Sequence, residues 1–194
     1  MSVRKGKVER TTKETAIKIV LVLEGDGTLQ GRSGIGFLDH MLELLARHGG
    51  FSLQLEAQGD LHVDGHHTVE DIGLCLGQAF AEALGDKKGV ARYSSLTLPM
   101  DEALVLCAVD ISGRPGLYAS LEFPTEKIGQ FDCDLVLVFW QAFVNTARLT
   151  LHLRLLSGTN SHHIAEAVFK GVGRVLQAGA RIEGTEIPSS KGVI

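Results

Sequence analysis

Residues 14–23, ETAIKIVLVL, alternate polar and apolar side chains before running continuously apolar. That is the pattern of a strand covered on one face and then on both. Gly25 to Gly27 break it. Phe37, Leu38, Met41, Leu42, Leu44 and Leu45 then recur at helical spacing and Gly49 with Gly50 supplies a stop, which predicts a helix over 37–48. FSLQLEA returns to period two as a strand, and a helical pattern covers 66–84 up to the turn-like GDKKG. Residues 93–123 read as strands joined by turns such as SGRPG. The spacing predicts a helix over 135–147, a strand over 149–156 and a helix over 162–178, ahead of a polar, turn-rich tail, EGTEIPSSKGVI.

The second half echoes the first. Sliding the chain on itself by 96 residues superposes His66, His67 and Glu70 on His162, His163 and Glu166. The order helix, strand, loop, helix repeats around each motif, and Asp64 and Asn160, each two residues before its histidine pair, are expected as N-terminal caps. One compact domain over residues 1–194 is therefore expected, made of two pseudo-symmetric halves of about 1–92 and 93–194 rather than a solenoid of short repeats.

The repeated HHxxE carries chemistry. Residues three and four apart on a helix are neighbours, so Glu70 can share a cation with His66 or His67. Adjacent histidines diverge by about 100° around the axis and point at two different ions. Each duplicated site is thus expected to draw on both copies, and two imidazoles with a carboxylate suit a divalent first-row metal. His40 sits among apolar residues beside Asp39, as a core histidine or a ligand. His152 interrupts the apolar run LTLHLRL at a position expected to face inward, which favours a ligand role. His62 stands at a strand end, and His48 closes a helix where a cation suits the dipole.

Composition narrows the partners. A chain of 194 residues with 44% hydrophobic content can bury a full core. Its net charge of −4 and pI near 6.0 give no basic excess for a nucleic-acid backbone or a lipid surface. No apolar run approaches the roughly 18 residues of a membrane span, and the charged start lacks a leader, so a soluble cytoplasmic protein is expected. Cys75, Cys107 and Cys133 are odd in number, far apart and without a CxxC pair, and read as small buried apolar residues.

GIGFLDHML, GDLHVDGHHTVED, GVARY, PMDEAL, VDISGRP, TLHL, SHHIAEAVFK and the terminal PSSKG together resemble the imidazoleglycerol-phosphate dehydratases over essentially the whole chain, from ERTTKET onward. Asp134 and Trp140 stand where that family more often has Glu and Phe, and Ser161 varies the position before the second pair. The resemblance implies an α+β fold with a four-helix layer between two mixed four-stranded sheets, like the second domain of ribosomal protein S5. It gives no licence for RNA binding. It also implies a lyase of histidine biosynthesis that removes water from imidazole glycerol phosphate to give imidazole acetol phosphate.

The resemblance further implies two Mn²⁺ per active site, held by His40, His66, His67, Glu70, His152, His162, His163 and Glu166. Ligand preference alone leaves zinc, iron or nickel equally open. With both ring nitrogens held by metal, an imidazolate can expel the adjacent hydroxyl through a diazafulvene-like intermediate, and loss of the neighbouring proton gives an enol and then the ketone. Glu14, in the ERTTKET segment, is the expected acid/base group. His48, Arg92, Arg114, Lys170, Ser189, Ser190 and Lys191 are expected to bind the substrate, chiefly its phosphate, and the PSSKG tail to close over it. A homo-oligomeric shell of twenty-four subunits, with active sites between neighbours, completes the implied picture. Two rivals are a dinuclear hydrolase, which would release phosphate, and a non-catalytic metal store, indifferent to loss of Glu14.

Overall fold

The structure, a computed structural model, describes residues 3–192 and 194; Met1, Ser2 and Val193, parts of the charged start and the polar tail, lie outside the described residues. In chain order the elements are β1 (Lys5–Thr11), β2 (Thr15–Val22), β3 (Thr28–Arg32), α1 (Gly36–Gly49), β4 (Ser52–Gly59), α2 (His66–Leu84), β5 (Tyr93–Met100), β6 (Ala103–Asp110), β7 (Gly116–Ser120), β8 (Lys127–Ile128), β9 (Phe131–Asp132), α3 (Leu135–Ala147), β10 (Thr150–Ser157) and α4 (Ser161–Ala180).

Two four-stranded mixed sheets share one topology. The first runs β1-β2-β4-β3 and the second β5-β6-β10-β7, with β3 parallel to β4 and β7 parallel to β10. Helices α1 and α2 pack on the first sheet and α4 on the second, while α2 pairs with α3 and α1 with α4. The result is a helical layer between two sheets, with a continuous core that includes Ile19, Leu38, Leu42, Phe80, Trp140, Phe143 and Phe169. Burying each such side chain contributes roughly 1.5–3 kcal/mol before entropy is counted.

Strands β1 and β3 escape the hydrophobic pattern because they are edges. In β1, KGKVERT, Gly6 and Val8 are buried, Lys5, Lys7 and Glu9 face out and Arg10 turns in to the buried Asp71, which leaves one apolar side chain to mark it. Charged edges also discourage pairing with another chain. Their counterparts β5 and β7 hold the same places in the second sheet.

Helix ends follow local chemistry. Gly50 adopts φ 64° and closes α1, with its N–H on the carbonyls of the last turn. Asn160 caps α4, its side chain accepting from the His162 N–H. Asp64 accepts from the His66 N–H at 2.7 Å in the same way, although Gly65 holds the N-cap position of α2.

The inward placement of His152 is overturned. Leu151 and Leu153 are the buried residues of β10, so His152 faces outward and is exposed. Its imidazole stacks at 4.8 Å on Tyr118, its register partner on β7. All three cysteines are free and buried. Among the described residues no helix is long and apolar enough to cross a membrane.

Candidate metal centre

Helix α1 turns Leu38, Met41 and Leu42 into the core, which leaves His40 half-buried at the layer's edge. The neighbouring Asp39 is buried and accepts from the Ser33 N–H at 2.6 Å, anchoring the start of the helix. Across from it, the first turns of α4 present His162 and Glu166. His40 Nε2 lies 2.8 Å and His162 Nε2 3.0 Å from the same oxygen, Glu166 Oε1. The three donor atoms lie within 4.8 Å of one another, a group able to hold a metal ion. Two imidazoles and a carboxylate are also the right donors for a divalent first-row cation.

Glu166 is 7% exposed. Burial opposes its charge, yet hydrogen bonds from Lys170, His40 and His162 outweigh it and bring the carboxyl down to about 2. Lys170 Nζ reaches Glu166 Oε2 at 2.5 Å and Met100 Sδ at 3.2 Å. His48, half-buried at the end of α1, has its pKa lowered by burial and by the nearby cations Lys170, Arg174 and Arg47. A cleft of about 850 Å³ opens beside the triad, lined by His40, His162, Phe37, Asp64, Gly65 and the β8–β9 hairpin. It joins the triad to the start of α2.

The other expected ligands stand apart. His66 and Glu70 are exposed on α2. His67 turns its Nδ1 to Asp60 Oδ2 at 2.9 Å and its Nε2 towards Glu14 Oε1 at 4.0 Å. His163 repeats the arrangement, with Nδ1 2.7 Å from Glu102 Oε2 and Nε2 3.9 Å from Asp101 Oδ2. The Asp60 hydrogen bond raises the His67 pKa, and Glu102 does the same to His163. The His163 contact in turn holds Glu102 down at about 2.

The duplication explains why one triad is complete. Helix α1 supplies His40 to α4, but once α1 and α3 are aligned on their core residues and their left-handed caps, Gly50 and Arg148, the matching position on α3, which pairs with α2, is the half-buried Val138. His66 and Glu70 therefore lack a third protein donor within the chain, among the described residues.

The expected phosphate groups fall in two places. Arg92 is buried, and its guanidinium donates to both Asp110 oxygens, at 2.7 and 3.3 Å, and to the Pro188 carbonyl at 2.8 Å. The exposed Arg114 lies 3.8 Å from Asp110. Pro188 brings the 189–191 turn to this arginine pair, where the Lys191 N–H donates to Ser189 Oγ at 3.2 Å and Ser190 is exposed. Lys170 and His48 belong instead to the neighbourhood of Glu166.

A sequence model of the family described as imidazoleglycerol-phosphate dehydratase matches residues 33–176. The chain belongs to the imidazoleglycerol-phosphate dehydratase family. It is therefore a lyase, a dehydratase of histidine biosynthesis. It is 52% identical over its full length to the whole imidazoleglycerol-phosphate dehydratase of Caldicellulosiruptor saccharolyticus. With that of Carboxydothermus hydrogenoformans it shares 55% identity over 98% of this chain and 100% of the relative. The crystal structure of the Staphylococcus aureus dehydratase superposes with a TM-score of 0.82 at 42% identity, covering 90% of this chain and 97% of that one. A Pyrococcus furiosus member solved in complex with (S)-C348 gives 0.84 at 35% identity, covering 96% and 100%.

Sequence reading did not single out Asp60 and Glu102. Both lie inside quoted motifs, GDLHVDGHH and PMDEAL, but Glu102 is 61 residues from the histidine it touches. The usable signal is chemical: a metal-binding histidine commonly gives its other ring N–H to a carboxylate.

Proposed function

We propose that this dehydratase converts imidazole glycerol phosphate to imidazole acetol phosphate and water with two Mn²⁺ per active site, bound by His40, His66, His67, Glu70, His152, His162, His163 and Glu166. The convergence of His40, His162 and Glu166 at the mouth of a cleft carries the reading. When bound, the two ions would supply Lewis acidity to both nitrogens of the substrate ring and make it an electron sink.

The chain's own groups do the rest. The carbon next to the ring loses its hydroxyl and the following carbon loses its proton, leaving an enol that becomes the ketone. Glu14, exposed in the β1–β2 turn and 4.0 Å from His67 Nε2, stands beside the histidines and moves that proton. Arg92, Arg114 and the Ser189, Ser190, Lys191 turn, gathered about Asp110, offer the phosphate cations and hydroxyls; Lys170 offers a further cation and His48 a neutral ring N–H. Lys170 also offsets the charge of Glu166.

The halves, about 1–92 and 93–194, act as one catalytic unit that is completed by neighbours. The exposed His66 and Glu70 want a further donor, and the exposed His152 is a donor wanting a site. A shell of twenty-four subunits with sites between them meets both needs. Three free, buried cysteines suit the reducing cytoplasm.

Incubation of the Mn²⁺-loaded protein with imidazole glycerol phosphate should yield the ketone with its phosphate retained. Release of inorganic phosphate, or no turnover, would overturn the assignment.

A further inference from the structure

Each histidine pair has a second member whose ring is gripped from behind. A carboxylate oxygen accepts and cannot donate, so the contacts to Asp60 Oδ2 and Glu102 Oε2 put the ring proton on Nδ1 of His67 and of His163. The lone pair then sits on Nε2, and the nearest carboxylates in front of it, Glu14 and Asp101, stand at 4.0 and 3.9 Å, beyond hydrogen-bond distance. We propose that Asp60 and Glu102 are positioning residues that fix the tautomer and aim of His67 and His163 for metal binding, an inference that rests on the metal-site reading above.

The duplication did not hand down this device. His67 and His163 correspond under the 96-residue shift, but in the matching strands β4 and β10 Asp60 corresponds to Gly158, and ahead of the matching strands β2 and β6 Glu102 corresponds to Glu14, which faces Nε2 of His67 rather than its Nδ1. Asp60 comes from the loop after β4, seven residues before its histidine, whereas Glu102 comes from the β5–β6 turn of the other sheet. The contact to Nδ1 is thus made from two non-equivalent positions, so an inherited residue is not its cause. Its common feature is the ring held at Nδ1 with Nε2 free.

The carboxylates are themselves set for the task. Glu102 Oε1 accepts from the N–H groups of Thr159 and Asn160 at 3.2 and 2.9 Å, which leaves Oε2 for the ring. Asp60 Oδ1 is buried with no partner among the described residues, so His67 supplies the hydrogen bond of that side chain. Burying an acceptor unpaired is costly. A merely structural residue would gain by shedding that cost; one needed to hold a ring would not.

Amide isosteres separate the two roles. In Glu102→Gln the amide oxygen can keep both backbone contacts while the NH₂ donates towards the ring, which moves the ring proton to Nε2 and closes that nitrogen to metal. Asp60→Asn does the same to His67. Metal-free wild type and variants would be titrated with Mn²⁺ against a competing chelator, and metal-free thermal unfolding recorded in parallel. The expected result is Mn²⁺ affinity about 10–100-fold weaker in each amide variant, at least as weak as in the alanine variants, with metal-free melting close to wild type. Amide variants that bind Mn²⁺ like wild type would overturn the proposal. So would a loss of affinity that follows loss of melting temperature and is worse for alanine.

His162→Ala distinguishes this inference from the reading beneath it. If that variant binds Mn²⁺ as wild type does, the metal site itself is misassigned. If it binds weakly while Asp60→Asn and Glu102→Gln bind normally, the positioning role alone fails. Should the amide variants not fold, Asp60→Glu and Glu102→Asp restore a carboxylate acceptor. Affinity nearer wild type than in the alanine variants supports the proposal, and affinity no better than alanine overturns it.

Discussion

His40 and His152 each interrupt an apolar stretch, and the structure sends them in opposite directions. His40 stands at the edge of the helical layer and meets His162 and Glu166, while period-two alternation puts His152 outside, stacked on Tyr118. Replacing His152 by alanine should therefore shift metal-free stability by no more than about 0.5 kcal/mol, the range for a surface substitution. It should nonetheless lower Mn²⁺ uptake and dehydration sharply, since the proposed function makes His152 a donor to a neighbour's site. Thermal unfolding and metal content of one preparation check both, and a large stability loss with normal uptake would contradict it. Residue types were legible at this scale, because paired histidines with a carboxylate announce a cation. Direction was not: the inward reading treated LTLHLRL as wholly apolar, although the leucines on either side of His152 already hold the inner face. Nor does spacing reveal Glu102, whose contact to His163 depends on how α4 packs on β5 and β6.

The four helices set the distance between the sheets, and two glycines set the distance between helices. Gly77 on α2 and Gly173 on α4 correspond under the 96-residue shift. A Cβ on Gly77 would meet the Phe143 carbonyl of α3 at 2.2 Å, and one on Gly173 the Leu45 carbonyl of α1 at 2.8 Å. Relief of either clash must separate a helix pair, α2 from α3 or α4 from α1, and at least one helix of each pair carries proposed ligands. Gly77→Val should cost about 1–3 kcal/mol or more through overpacking. Gly36→Ala, at the start of α1 with open space around its Cβ position, should be neutral or slightly stabilising. Comparing their denaturant midpoints tests the claim, and equal midpoints would refute it. Helices α1, α2, α3 and α4 were legible nearly to their ends because a 3.6-residue apolar stripe and glycine stops mark them. The edge strands β1 and β3 were not, since an edge buries little and keeps charge for other reasons. The β8–β9 hairpin, two residues to a strand, is too short to show a period, yet it walls the cleft.

At the scale of the molecule, the family resemblance announced two mixed four-stranded sheets, and the structure has them with one topology, but the two halves are not chemically equal. One offers His40 where the other has Val138, so the chain holds one joined triad and one open pair, His66 with Glu70. The sequence shows that α3 has no histidine, but not that α1 serves α4 and α3 faces α2, which depends on which helix packs on which. If neighbouring subunits complete the open pair, metal should couple to assembly. Stripping the metal with a chelator should then shrink the particle on size exclusion, and an unchanged particle would contradict the coupling. The most direct measurement follows dehydration of imidazole glycerol phosphate as Mn²⁺ is added to metal-free protein and bound metal is counted. The account predicts saturation at two ions per chain, with turnover appearing as the second binds; full activity at one ion per chain, or with none, would contradict it.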